Sequence, residues 1–157
     1  MKNLKIGQRL TLSFGAVVAV LIILAAIAYT RLDKLDAAIS VVSNDRYPKT
    51  VNAHIIKDAL NETARNMRNA LLMTDAKQIK GELDTIAQGS ITISAALDRL
   101  DQTIKSEKGR TYVKALTDAR GRFTPLKDKF VALVEQDLRA EAQILLFAEV
   151  RPAQLEY

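Results

Sequence analysis

The chain has 157 residues, with 23 Lys and Arg against 18 Asp and Glu, no Cys, no Trp and one His. Without Cys there is no disulfide frame, thiolate nucleophile or Cys-ligated zinc, and a single His removes multi-His metal sites. The basic excess is concentrated at the start (Lys2, Lys5 and Arg9, with no acid among them), and the remainder is nearly balanced, which speaks against a nucleic-acid face.

Residues 10–30 carry no charge, between Arg9 and Arg31. As a helix this run spans roughly 31 Å, about the thickness of a hydrocarbon core. The positive-inside rule then puts residues 1–9 in the cytoplasm and sends everything from residue 31 outside it. Gly15 and Ala19 form a small-xxx-small pair that would let two such helices approach. The rival reading is a cleaved signal peptide, for which Ala26-Ile27-Ala28 has the form of a cleavage site. The apolar run is longer than such peptides use, and the helical pattern continues past it.

Beyond Arg31 the apolar residues recur at steps of three and four, the seam of a packed helix. The first seam runs Leu32, Leu35, Ile39, Val42, then Ala53, Ile56, Leu60, Thr63, Met67 and Ala70, interrupted by Arg46 and Lys49 in the stretch Asn44-Asp45-Arg46-Tyr47-Pro48. Pro48 removes a helical hydrogen bond and predicts a bend. Asp75-Ala76-Lys77-Gln78 has the form of a capping box, so a second helix starts there. Its seam runs Ile79, Leu83, Ile86, Ser90, Ile93, Leu97, Leu100 and Ile104, and Lys108-Gly109 is expected to break it. The third seam is Tyr112, Leu116, Ala119, Phe123, Leu126, Phe130 and Leu133, closed by a turn at Glu135-Gln136-Asp137. A last helix from about Arg139 carries Ala142, Leu146, Val150, Ala153 and Tyr157, with Arg151-Pro152 bending it.

Short turns make neighbouring helices antiparallel. The expected fold is all-α: an up-down antiparallel four-helix bundle over residues 31–157, continuous with an N-terminal transmembrane helix. The last helix is far shorter than the first, so the sequence reads as a fragment whose full protein returns to the membrane.

A ligand site in such a bundle needs polar groups converging inside an apolar seam. Counted from the distal turns, Ser90, Arg120 and Tyr157 fall within ~5 Å of one height. Ser90 holds a seam position, Arg120 flanks Ala119 and Phe123, and Gly89 and Gly121 leave space beside them. A buried guanidinium needs an anion, and a small carboxylate would satisfy its fork. The alternative is an Arg120 at the bundle edge, paired with an acid in solvent. Arg65 and Arg68 are a second candidate pair on one helix face; there the competing reading is a solvated face, with Arg65 three residues after Glu62. No nucleophile elbow, phosphate loop or zinc-protease motif is present, so no enzyme, catalytic residue, metal or cofactor is expected.

Four stretches carry a resemblance: Met1-Lys2-Asn3-Leu4-Lys5-Ile6-Gly7-Gln8-Arg9-Leu10, Asn44-Asp45-Arg46-Tyr47-Pro48, Arg65-Asn66-Met67-Arg68-Asn69-Ala70-Leu71-Leu72 and Val150-Arg151-Pro152-Ala153-Gln154. In this order the chain resembles the N-terminal region of bacterial methyl-accepting chemotaxis receptors. The resemblance implies a homodimeric sensor in the inner membrane that binds a small solute, such as an organic acid or amino acid, in the periplasm. It also implies a helix shift passed across the membrane. Arg120-Gly121-Arg122-Phe123 resembles an Arg-x-x-Tyr pattern of organic-acid sensors, with Phe123 lacking the hydroxyl. In related receptors of aspartate type, first-helix arginines bind ligand across the dimer interface, which is what the resemblance implies for Arg65 and Arg68. The same sensor sits on histidine kinases and cyclic-dinucleotide enzymes, so the output stays open. A membrane-anchored scaffold that binds a protein partner is the reading from another class.

Overall fold

The computed structural model describes residues 5–157. The start of the basic N-terminal stretch, Lys2 included, lies outside the described residues. Two compact units divide the chain, residues 1–46 and 47–157.

In the first unit, helix α1 covers Ile6–Val41. Lys5, extended, precedes it, and its backbone N–H donates to the Gln8 side chain at 3.2 Å. The helix ends in a π turn, Val42–Arg46. Its apolar side chains, from Leu10 through Ile27 to Ile39, are all exposed. Among the described residues one helix is long and apolar enough to cross a membrane, and it contains this stretch. Thr11 and Thr30 return their hydroxyls to helix carbonyls, Gly7 O at 3.0 Å and Ile27 O at 2.9 Å. These bonds satisfy the two threonine hydroxyls inside an otherwise largely apolar rod.

The second unit begins with α2, Tyr47–Leu72, followed by α3, Ala76–Thr103, and α4, Glu107–Glu135. The last leg is α5, Arg139–Leu145, a π turn at Leu146–Val150, and α6, Arg151–Glu156. No strand occurs among the described residues, and the architecture is the expected all-α four-helix bundle.

The first two distal features follow from their sequences. Asp75 caps α3, its carboxylate accepting from the Gln78 N–H at 2.9 Å. Asp137 takes the left-handed conformation, φ 58°, and closes α4 with paired bonds from Asp137 N to Val134 O and from Leu138 N to Leu133 O. That pairing is a Schellman motif with Asp where Gly is usual. The turn between α3 and α4 differs from expectation. Helix α3 stops at Thr103, and α4 starts beyond Ser106, whose hydroxyl accepts from Gly109 N at 3.2 Å. Lys108-Gly109 therefore lies in the first turn of α4, and Ile104, the cap of α3, ends its seam half-buried against the core.

The core follows the seams closely. Ile56, Leu60, Thr63, Met67 and Ala70 of α2 are buried, as are Ile86, Ile93, Leu97 and Leu100 of α3 and Ala119, Phe123 and Phe130 of α4. In the second unit two seam members fall outside it: Tyr112 is exposed, with its neighbour Val113 buried instead, and Ala53 is exposed as well; in the first unit the seam residues Leu32, Leu35, Ile39 and Val42 are all exposed.

Candidate functional site

Midway along the bundle, polar side chains collect between α3 and α4. Ser90 and Ser94 lie one helical turn apart on α3, so they share a face. Each hydroxyl donates to a carbonyl one turn earlier, Ser90 to Ile86 O at 3.3 Å and Ser94 to Ser90 O at 2.9 Å. Their lone pairs are thereby left to cations from α4.

Arg120 Nη2 donates to the Ser94 hydroxyl and, at 3.4 Å, to Ser90 O. Lys127, seven residues further along and on the same face, donates to the Ser90 hydroxyl at 3.0 Å. Among the described residues Lys127 is the one buried charged residue, with its side chain only 11% exposed, and its ammonium also pairs with exposed Asp128 at 2.7 Å. Arg120 is half-buried and has no carboxylate within ion-pair distance among the described residues.

Tyr157 completes the group. Its ring packs against Phe123 with centroids 5.9 Å apart and planes tilted by 47°. Its hydroxyl is buried and has no hydrogen-bond partner. Burial pushes the phenol pKa above its ordinary value, opposed by the positive charge of Arg120. Just outside, Arg122 forks onto Glu156, Nε to Oε2 at 3.3 Å and Nη2 to Oε1 at 2.5 Å, tying α4 to α6.

The structure thus gathers Ser90, Arg120, Phe123 and Tyr157. It adds Ser94 and Lys127, which the sequence reading missed. A signal for both was present: Ser94 repeats Ser90 one turn on, and Lys127 repeats Arg120 one heptad on, beside the same seam. The glycines act differently from expectation. A Cβ on Gly89 would stand 3.0 Å from Thr63 Oγ1, so this residue lets α2 approach α3, whereas Gly121 is exposed with nothing near it.

The second candidate pair is split. Arg65 pairs with Glu62 at 3.5 Å, both more than half exposed, as the solvated-face alternative had it. Arg68 instead lines a groove of about 210 Å³ with Leu71, Leu72, Gln143, Leu146 and Phe147. No group of His, Cys, Asp and Glu able to hold a metal ion occurs among the described residues.

Chemically, two cations face two serine hydroxyls, and one exposed carboxylate, Asp128, pairs with Lys127.

No curated protein and no solved structure is detectably similar to the chain. One family model matches residues 3–157, nearly its whole length. With that match and a bundle built on the same seams, the chain belongs to the family described as the four helix bundle sensory module for signal transduction.

Proposed function

We propose that residues 31–157 are the periplasmic ligand-binding region of a chemoreceptor in the bacterial inner membrane. In this reading residues 10–30 cross the membrane, residues 1–9 stay in the cytoplasm, and the receptor works as a homodimer. The ligand is a small organic acid, and the second cation favours one with two carboxylates. The observation that carries this is the pair Arg120 and Tyr157. A half-buried guanidinium held only by neutral oxygens, beside a buried hydroxyl that bonds to nothing, is incomplete until an anion joins it.

A carboxylate at this height would take the fork of Arg120, the hydroxyl of Tyr157 and the hydroxyl of Ser94. To do so it must displace the Arg120–Ser94 bond, which now closes the seam. Binding therefore favours one arrangement of α4 and the last leg over another, and differential affinity of that kind is what a sensor transmits. Helix shifts of about 1–2 Å are within the known repertoire.

The test is a thermal-shift series on the full chain in detergent with mono- and dicarboxylates and amino acids. At 100 times its dissociation constant a true ligand adds about 2.7 kcal/mol. Arg120→Ala should abolish the shift; an unchanged shift would exclude this site, and no shift with any acid would end the carboxylate reading.

A second reading, a scaffold for a protein partner, is favoured by one feature. Leu72, Ile144 and Phe147 of the second unit are exposed, at 82%, 69% and 52%. It predicts no response to any small acid.

A further inference from the structure

The last leg of the bundle carries a π turn at Leu146–Val150, where the Arg151 N–H bonds to Leu146 O, five residues back. Pro152 follows directly and has no N–H to give, so a widened turn above it sacrifices less than it would elsewhere. The same order, a π turn and then a proline two residues on, occurs at Val42–Arg46 and Pro48.

The π turn decides which residues face inward. Counting 3.6 residues per turn from the face shared by buried Ala142, Leu145 and Leu146, an uninterrupted α-helix would turn Glu149 and Glu156 nearer the core than Val150 and Tyr157. The extra residue in the π turn moves that face on by one. Val150 is 1% exposed, Ala153 and Tyr157 are half-buried, and Glu149 and Glu156 are exposed. Glu156 is then free to lock onto Arg122.

We propose that the last leg has two registers, and that closing the π turn to α-helix carries Glu156 to the place of Tyr157, where its carboxylate engages Arg120 as an internal substitute for the ligand. In the observed register Tyr157 faces Arg120 and Glu156 is parked on Arg122. In the other, residues 151–157 slide by one residue, about 1.5 Å, and turn by roughly 100°. An anionic ligand and Glu156 then compete for one guanidinium, so occupancy selects the π register. The competition rests on the carboxylate reading above; the register change does not.

The absence of Cys makes the register directly measurable. In the full chain in nanodiscs, two double variants are compared for cross-linking by a short bismaleimide: Arg122→Cys with Glu156→Cys, and Arg122→Cys with Leu155→Cys. The first should react faster. Adding Pro152→Ala, which restores the missing N–H, should reverse that order. Deleting Ala148 as well, which removes the extra residue, should restore it. An order unchanged by Pro152→Ala overturns the two registers.

The competition is read with succinate as probe, without the cysteines. Pro152→Ala should weaken succinate about fivefold or more, and Glu156→Gln in that background should recover it. A reversed cross-linking order with succinate affinity unmoved overturns the role of Glu156. Failure of succinate and every other acid to bind the unmodified chain sinks the carboxylate reading, and with it the role of Glu156, while the cross-linking order still decides the register.

Discussion

Tyr157 pairs a favourable ring contact with an unsatisfied hydroxyl. The ring meets Phe123, but the buried hydroxyl forgoes water and gains no partner, which costs stability. Its pKa is raised above 10.0 by burial, so the folded chain holds the phenol proton more tightly than the unfolded chain. The stability linked to this group is complete below pH 10.0 and is lost as the pH rises through the higher folded value. Melts between neutral pH and strongly alkaline pH should therefore fall more steeply for the wild type than for Tyr157→Phe. At neutral pH the variant should be as stable as the wild type or slightly more so, yet bind a carboxylate more weakly. A Tyr157→Phe variant with an unchanged alkaline slope would mean the hydroxyl is hydrated. Ser90 was legible as a polar residue on an apolar seam. Lys127 was not read from the sequence, because a lysine beside a seam normally extends its stem over apolar surface and leaves its head in water. Here the Ser90 hydroxyl and Asp128 retain the ammonium.

Helix ends show where local chemistry speaks plainly and where it misleads. Asp75 capped α3 as its spacing to Gln78 implied. Asp137 produced the turn that Glu135-Gln136-Asp137 suggested, through a left-handed residue that no propensity favours strongly. At the middle turn the glycine attracted the break to itself. Gly109 is helical, and its role is space: a Cβ there would run into the Ile104 side chain and stand 2.8 Å from Ser106 Oγ. Gly109→Ala should therefore destabilise by about 1–3 kcal/mol through overpacking, instead of gaining the ~1 kcal/mol of helix propensity. The urea midpoint measures it, and a higher midpoint would show that Ile104 moves aside freely. The two prolines near π turns were read from sequence as bends. A proline marks where a helix loses a bond, but whether the chain answers with a bend or with an added residue depends on what packs above and below it.

For the whole molecule, the core is where stability resides and the polar cluster is where it is spared. Phe130 is fully buried at the centre of the seams, and Phe130→Ala should cost about 3–5 kcal/mol. Arg120→Ala, which removes a guanidinium held by neutral oxygens, should cost far less in the same thermal melts. Equal losses would make Arg120 a structural residue and not a ligand contact. The sequence by itself determined the helices, their antiparallel order and most buried positions, because a period of three and four fixes which face of each helix seeks the core. It also located Ser90, Arg120 and Tyr157 at one height, because rise per residue is constant along a helix. Only the tertiary structure decided what each face meets: that Arg120 bonds Ser94, that Lys127 is drawn in, and that a π turn interrupts the last leg, with Glu156 held on Arg122. A repeat read along one chain gives height, whereas rotation is fixed by what the neighbouring helix puts opposite, and a single added residue turns everything below it by a quarter of a turn or more.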